Sequence, residues 1–340
     1  MHTQPNGERG LLLAAIAMND NAPDVLVLRA DTHGLHARDY ADLLADRLPD
    51  HDVRFAPTPT EERELVERAT VVSGVDIDAA LLERAENLRL FAGVAAGYNH
   101  LPLEQFAEMD VAVTNASGIH APNIAEQVAG YILTFSRQLR EGLHRQQRNE
   151  WRHYQAEELM GSTVTIVGLG AIGTAVTERL SGFDVETIGV RYTPEKGGPT
   201  DEVIGFDGPG FEAALARTDY LVVAAPLTDT TRRLLGTAEF QTLPPNARVI
   251  NVGRGQIIDT DALVAALQQN QIEGAALDVT DPEPLPADHP LWDFENVLIT
   301  PHNAGHSPKH WERLADIVAG NVTTLSETGD EASLRNLVQS

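Results

Sequence analysis

The sequence predicts an α/β protein of two doubly wound domains with parallel sheets and a cleft between them. Its 340 residues are enough for two domains, each with its own core. Short apolar runs alternate with segments of helical spacing, once over residues 24–115 and again from residue 163. The runs are apolar throughout, as is typical of strands that are covered on both faces.

The first series contains four strand-like and two helix-like segments. The strands are "DVLVL", "ATVVSG", "LRLFAG" and "VAVTN", and the helices are "ARDYADLLADRL" and "DAALLERAE". Residues 122–148 follow as one long helical stretch, which opens with Pro122 in a first turn that tolerates proline. A further helix at about 307–328 comes after the second series. We expect it to return to the first domain.

The second series supplies six strands separated by helices or loops. They are "TVTIV", "ETIGV", "YLVVAAP", "ARVINVG", "GAALDV" and "NVLITP". The predicted domains are therefore residues 18–119 with 304–340, and residues 120–303. Residues 1–17 are interpreted as a loose extension. The alternative is that "GLLLAAIA" is a short signal-peptide core. With the extension, we expect a cytoplasmic protein.

Charge is the unusual feature of the composition. Acidic residues number 50 against 25 basic ones, of which only Lys196 and Lys309 are lysines. The acids are dispersed, which favours adaptation to high salt over a tail that binds a cationic partner. Such a negative surface makes nucleic acid an improbable partner. The lack of cysteine excludes disulfides and thiolate sites, and no apolar run approaches the roughly 20 residues that span a membrane.

A glycine-rich turn predicts a dinucleotide site. In "VGLGAIG", Gly168, Gly170 and Gly173 have G-x-G-x-x-G spacing, directly after a strand and at the start of a helix. The first glycine permits a tight turn, the second lets a pyrophosphate approach, and the third lets the helix pack on the sheet. The helix N-terminus then offers its N–H groups to phosphate. The second domain is thus predicted to be Rossmann-like; the alternative is a turn without a ligand.

The residue after the next strand favours NADP(H). A carboxylate usually stands there and binds the adenosine ribose of NAD. This chain has Arg191, which can pair with a 2′-phosphate, followed by Tyr192 to stack on adenine and Thr193 to donate a hydroxyl. NAD(H) remains possible, since Arg191 can also be an ordinary surface residue.

Three further stretches carry a family resemblance. "VINVGRGQIID" contains Arg254, "ALDVTDPEPLP" contains Glu283, and "VLITPHNAG" contains His302. With the glycine turn, they resemble the D-isomer-specific 2-hydroxyacid dehydrogenases over roughly residues 85–325. The resemblance implies that the discontinuous domain binds substrate, that residues 120–303 bind the dinucleotide, and that the protein is a homodimer with the helix near 122–148 in the interface.

The chemistry of the family asks for these residue types. A 2-keto acid presents a carboxylate beside a carbonyl, and Arg254 can grip the first and polarise the second. His302 can protonate the carbonyl oxygen as hydride arrives at carbon, because imidazole titrates near neutral pH. Glu283 would orient this imidazole and keep it protonated. Each also has an ordinary reading, as a surface residue or a loop acid.

The resemblance implies further site residues. Backbone N–H groups of Ala96 and Gly97, in "GVAAGYNH", would hold the substrate carboxylate together with Arg254 and His302. The family commonly has a larger apolar residue at 96 and an aspartate at 99, where this chain has Ala96 and Asn99. Asp278 would face the nicotinamide. The other implied cofactor residues are Leu169, Ala171, Ile172, Ala225, Pro226, Thr231, Val252, Gly253 and Gly305.

The predicted function is hydride transfer between NADP(H) and a small pair of 2-keto acid and D-2-hydroxy acid. The alternative is a nucleotide-sensing binding protein, similar to the co-repressors that share this fold. Such a protein would act through contacts with partners. A metal enzyme has little support, because His306 and His310 lie four apart but no acid–histidine cluster accompanies them. No metal is therefore predicted.

Overall fold

The computed structural model describes residues 24–98 and 100–339. The predicted extension, residues 1–17, and Asn99 lie outside these ranges. The chain divides into two compact units. The first comprises the described residues up to Ile119 together with those from Pro308, and the second is His120–Ser307. Within the described ranges, no helix has the length and apolar character needed to cross a bilayer.

The first unit begins with five strands and four helices in alternation. They are β1 (Val25–Val27), α1 (Ala37–Arg47), β2 (Val53–Phe55), α2 (Pro59–Val66), β3 (Val71–Gly74), α3 (Ala79–Leu82), β4 (Leu90–Gly93), α4 (Leu103–Glu108) and β5 (Ala112–Thr114). Side chains cap two of the helices: Thr58 accepts from the amide of Glu61, and Asp78 accepts from that of Leu81.

The second unit contains seven strands. Its elements are α5 (Ala121–Ser136), α6 (Leu139–Gln147), β6 (Thr163–Val167), α7 (Ala171–Leu180), β7 (Glu186–Val190), β8 (Glu202–Ile204), α8 (Pro209–Leu215), β9 (Tyr220–Val223), α9 (Thr237–Thr242), β10 (Arg248–Asn251), α10 (Thr260–Gln268), β11 (Gly274–Leu277) and β12 (Val297–Ile299). The strand order is β12-β11-β10-β9-β6-β7-β8, and all pairs are parallel. The order reverses between β6 and β9, the place where such sheets bind ligands.

The chain then returns to the first unit as α11 (His310–Thr328) and β13 (Leu337–Gln339). The first sheet has the order β13-β5-β4-β3-β1-β2. The predicted fold class is confirmed, with one difference: β13 pairs antiparallel with β5, whereas the other pairs are parallel. The strand that precedes α11 is β12 of the other sheet, so the βαβ rule for parallel strands does not apply to β13.

Each sheet of the two units is covered on both faces. Along β1, Val25 and Val27 join a cluster with α1 and α11, while Leu26 joins a cluster on the opposite face. This is the two-residue alternation of a strand. Trp311 of α11 stacks on Tyr40 of α1, with 4.8 Å between ring centroids.

The predicted long helix over 122–148 is wrong in one respect, because it is two helices. The break lies at Gln138, which has a left-handed φ of 49°. Helix α5 buries Ile124, Val128 and Ile132 in a cluster with α7, whereas α6 has no buried residue. Of the two helices, α5 therefore packs an apolar face on the core of the second unit.

Candidate active site

The glycine turn is built by close backbone contacts. Gly168 has a φ of 101°, and a Cβ there would lie 2.7 Å from Cα of Ala225. A Cβ on Gly173 would lie 2.0 Å from the carbonyl oxygen of Gly168. Both positions therefore require glycine, the first for conformation and approach and the second for packing of helix and turn.

The middle of the turn is open. A Cβ on Gly170 would meet nothing within 4 Å, and Gly170 caps α7 without a side-chain hydrogen bond. Ala171 is exposed and Ile172 half-buried in the first turn of this helix. The uncapped helix start beside this open backbone fits a pyrophosphate group. Leu169, by contrast, is buried.

Arg191 lies directly after β7, as predicted. Its amide donates to the carbonyl of Ile204 at 3.0 Å, and its guanidinium donates to the carbonyl of Gly197 at 2.5 Å. Arg191 forms no ion pair within the described part of the chain. Thr193 is half-buried and Tyr192 is 81% exposed. The guanidinium thus keeps further N–H donors for a ligand.

The ends of β9 and β10 pack against each other and against the glycine turn. Ala225 contacts Gly168, and a Cβ on Gly253 would lie 2.7 Å from the carbonyl oxygen of Ala225. Ala225 and Val252 are buried. The Thr231 hydroxyl is also buried and donates to the carbonyl of Pro226 at 2.7 Å. Thr231 therefore holds this loop.

Arg254 projects from a tightly held turn. A Cβ on the next residue, Gly255, would lie 1.9 Å from the carbonyl oxygen of Thr280. Asn251 donates to the carbonyl of Arg254 at 3.0 Å and accepts from the amide of Gly253 at 3.0 Å. Arg254 itself is exposed, and its guanidinium donates to the carbonyl of Gly253 at 2.7 Å. The backbone is fixed while most guanidinium donors stay available to an anion.

His302 and Glu283 form a hydrogen-bonded pair. Nδ1 of His302 lies 2.6 Å from Oε1 of Glu283, and both side chains are partly exposed. A carboxylate only accepts, so Nδ1 carries the proton, and Nε2 has no hydrogen bond to another residue within the described ranges. His302 has a left-handed φ of 51° at the end of the segment after β12.

Asp278 fixes the segment that carries His302. Its carboxylate accepts from the amides of Asn303 at 2.8 Å and Ala304 at 3.0 Å, and from the hydroxyl of Thr300. The backbone carbonyl of Asp278 accepts from the amide of His302 at 2.8 Å. Asp278 is 3% exposed. Asp278 was predicted to face the nicotinamide. Its carboxylate oxygens accept hydrogen bonds from the loop that carries His302.

The loop is tied to α5 as well. The hydroxyl of Tyr131 is hydrogen-bonded to that of Thr300, and burial raises the pKa of Tyr131. Tyr131 therefore stays a neutral phenol. The carbonyl of Gly305 is 2.8 Å from Nδ1 of His120, at the start of α5. Gly305 itself is half-buried.

Ala96 and Gly97 lie in the first unit, in the exposed loop that follows β4. Asn115 donates to the carbonyl of Ala96 at 2.8 Å, and the amide of Ala116 donates to that of Ala95 at 3.0 Å. Neither the Ala96 nor the Gly97 amide donates to another described residue. Both amides are thus available to a ligand.

The second unit brings several predicted residues together and leaves others separate. Glu283 and His302 meet, and Asp278 meets their loop. The side chain of Arg254 has no hydrogen bond to either of this pair within residues 120–307. Sequence reasoning missed Asn251 and Thr300, which hold Arg254 and the His302 loop. The signal for Asn251 was a polar residue between apolar ones in "VINV".

Fold and site together define a class of nucleotide-dependent oxidoreductases, and comparison with known proteins names the family. The family model "D-isomer specific 2-hydroxyacid dehydrogenase, NAD binding domain" matches residues 129–304. A glyoxylate reductase from Thermofilum pendens is 34% identical over 253 residues, which is 72% of this chain and 74% of that protein. The chain belongs to the D-isomer specific 2-hydroxyacid dehydrogenase family.

Solved structures are similar over nearly the whole chain. A D-isomer specific 2-hydroxyacid dehydrogenase from Xanthobacter autotrophicus, in complex with NADPH and MES, is 28% identical with a TM-score of 0.74, covering 94% of this chain and 98% of that one. An NADPH-dependent glyoxylate/hydroxypyruvate reductase from Sinorhizobium meliloti is 26% identical with a TM-score of 0.70, covering 93% and 97%. The protein is therefore an oxidoreductase that transfers hydride between a nicotinamide cofactor and 2-keto or 2-hydroxy acids.

Proposed function

We propose that the protein reduces a small 2-keto acid to its D-2-hydroxy acid with NADPH, using His302 as the acid. The observation that carries this proposal is the 2.6 Å pair between Nδ1 of His302 and Glu283. Glu283 fixes the ring so that Nε2 presents its proton, and it stabilises the imidazolium. The bound cofactor would supply the hydride.

Arg254 is proposed to bind the substrate carboxylate. Its exposed guanidinium uses one donor on the carbonyl of Gly253, so others remain for a bidentate pair. The amides of Ala96 and Gly97, which donate to no other described residue, are proposed as donors to a substrate carboxylate. Small keto acids are favoured because the relatives named above are reductases of glyoxylate and hydroxypyruvate.

The preference for NADPH is proposed from Arg191. A positively charged, planar group at the end of β7 can pair with a 2′-phosphate, whereas the carboxylate usual at this position would repel it. The solved relative from Xanthobacter, which is in complex with NADPH, supports this proposal.

The cofactor proposal is tested by comparing kcat/KM for NADPH and NADH with glyoxylate, in the wild type and in Arg191→Ala. We expect the wild type to prefer NADPH and the variant to lose about 10-fold or more of that preference, about 1.4 kcal/mol. Arg179→Ala is the matched control, because it removes one exposed cation from the last turn of α7.

Two results would count against these proposals. A wild type that prefers NADH would refute the role of Arg191 and leave the dehydrogenase standing. A protein that oxidises neither cofactor with any 2-keto acid would favour the nucleotide-sensing binding protein.

We also propose a homodimer. Helix α6 buries none of its residues and exposes Leu139 and Leu143, and Trp151 beyond it is fully exposed. Apolar side chains gathered on one segment favour contact with a second copy.

Adaptation to high salt is proposed from the charge alone. The cytoplasmic location stays a prediction, since residues 1–17 lie outside the described ranges.

A further inference from the structure

We infer that Gly197 is a specificity-determining residue, which positions the Arg191 guanidinium for a 2′-phosphate. The inference rests on the proposed preference for NADPH and assigns it a second residue. Gly197 itself has no side chain that could touch the cofactor, so it would act through Arg191.

Gly197 has a backbone conformation that favours glycine. A 3₁₀ turn over Pro194–Lys196 ends there, and the amide of Gly197 donates to the carbonyl of Pro194 at 2.9 Å. Its φ of 63° and ψ of −161° belong to a region that essentially only glycine occupies. This conformation directs the carbonyl of Gly197 to the guanidinium of Arg191, 2.5 Å away.

The hydrogen bond to Gly197 limits the conformational freedom of the Arg191 side chain. A free arginine side chain at a strand end samples many rotamers, and ordering it weakens any contact it makes. Its backbone is already fixed by the bond from its amide to Ile204. The bond to Gly197 fixes the far end, so that the remaining donors are held in one orientation before a phosphate arrives.

The segment that contains Gly197 and Gly198 packs against the glycine turn. A Cβ on Gly198 would lie 2.6 Å from Cδ1 of Leu169, and one on Gly189 would lie 2.3 Å from the same atom. Leu169 is the residue between the first two glycines of the turn, and it is buried. The absence of a side chain at the two glycines therefore leaves room for the side chain of Leu169. This contact links the segment beside Arg191 to the proposed pyrophosphate site.

The experiment measures binding of two probes by calorimetry at one fixed salt concentration. Adenosine 2′,5′-bisphosphate carries the 2′-phosphate and adenosine 5′-monophosphate lacks it. We expect Gly197→Ala to reduce the ratio of the two affinities about 10-fold. Affinity for the monophosphate should stay within about 2-fold, because the glycine turn is untouched.

The matched control is Gly161→Ala. Gly161 also has a positive φ, of 78°, with nothing within 4 Å of its Cβ position. It precedes β6, at the amino ends of the strands, whereas Arg191 follows the carboxyl end of β7. Gly161→Ala likewise adds a methyl group to a glycine of positive φ, and it should leave the ratio unchanged. If Gly197→Ala fails to fold, Gly198→Ala replaces it. Its methyl group would lie 2.6 Å from Cδ1 of Leu169 and 3.5 Å from Cγ2 of Val203, so the loop beside Arg191 must shift and the ratio should fall in the same direction.

The outcomes separate this inference from the proposed function. If Arg191→Ala loses the preference for the bisphosphate while Gly197→Ala and Gly198→Ala keep it, the inference is wrong and the role of Arg191 stands. If the wild type itself shows no preference for the bisphosphate, the NADPH proposal fails and the inference falls with it.

Discussion

At the scale of single residues, the site depends on polar groups that hold strained backbone. His302 has a left-handed φ, which costs a side chain other than glycine about 1 kcal/mol or more. The carboxylate of Asp278 accepts hydrogen bonds from the amides of the two residues after His302. Its backbone carbonyl accepts one from the amide of His302 itself. These bonds offset the strain and determine where the imidazole lies.

Replacement of Glu283 by Gln is expected to lower kcat about 100-fold, within the range typical of general acid–base catalysis. The amide keeps the shape of the side chain but cannot stabilise an imidazolium. Steady-state kinetics with glyoxylate and NADPH measures this loss, and fluorescence titration with NADPH should show unchanged cofactor affinity.

The control for this change is Glu295→Gln, another exposed glutamate of the second unit, which should leave kcat unchanged. A Glu283→Gln variant with normal kcat would remove Glu283 from the mechanism. Partial activity in Glu283→Asp would support the pairing, because a carboxylate is then retained.

The sequence could place candidate residues but not their bonds. Parallel strands end at one edge of a sheet, so side chains that follow β10, β11 and β12 can share that edge. His302 and Glu283 lie within hydrogen-bonding distance there, and their roles stay predictions. The partners of Asp278 could not be predicted, since they are backbone amides whose direction depends on the loop conformation.

At the scale of helices and strands, glycines determine how closely elements approach. A Cβ at Gly173 would lie 2.0 Å from the carbonyl oxygen of Gly168, which belongs to the turn's backbone and cannot rotate away. Helix α7 can therefore keep its place beside β6 only while residue 173 has no side chain.

Gly173→Ala is expected to weaken NADPH binding at least 10-fold, about 1.4 kcal/mol, because α7 must shift and its N-terminal amides leave the phosphate position. The melting temperature should fall as well. Gly182→Ala is the control, because its Cβ would meet nothing within 4 Å. Equal NADPH affinities in the two variants would contradict the packing argument.

The strands absent from the sequence prediction are three of the four at the sheet edges; the fourth, β12, was predicted. β2, β8 and β13 have three residues each, and no residue in them is buried. Edge strands are paired on one side only and stay partly exposed, and these three lack the apolar run by which the central strands were recognised. Central strands such as β9 and β11 are buried at every position and were predicted.

At the scale of the whole molecule, charge is the dominant property. The formal net charge is −25 at pH 7. Repulsion among carboxylates destabilises a compact chain at low ionic strength. Salt weakens this repulsion, since the screening length falls from about 10 Å at 0.1 M to about 3 Å at 1 M.

The melting temperature is expected to rise by about 5 °C or more between roughly 0.1 M and 1 M KCl. Differential scanning calorimetry measures the rise. A variant with the exposed acids Glu86, Glu104 and Glu158 changed to Gln should show a smaller rise. A melting temperature independent of KCl would refute adaptation to high salt.

The path of the chain has a consequence for the order of folding during synthesis. The second unit is one continuous stretch, so a ribosome delivers all of it before α11 appears. The core of the first unit cannot be completed at that stage, because Trp311, Leu314 and Ile317 share a cluster with β1 and α1 and are synthesised later. Until those residues emerge, the sheet face that α1 and α11 share is covered by α1 alone, and this nascent half is where a chaperone is expected to bind.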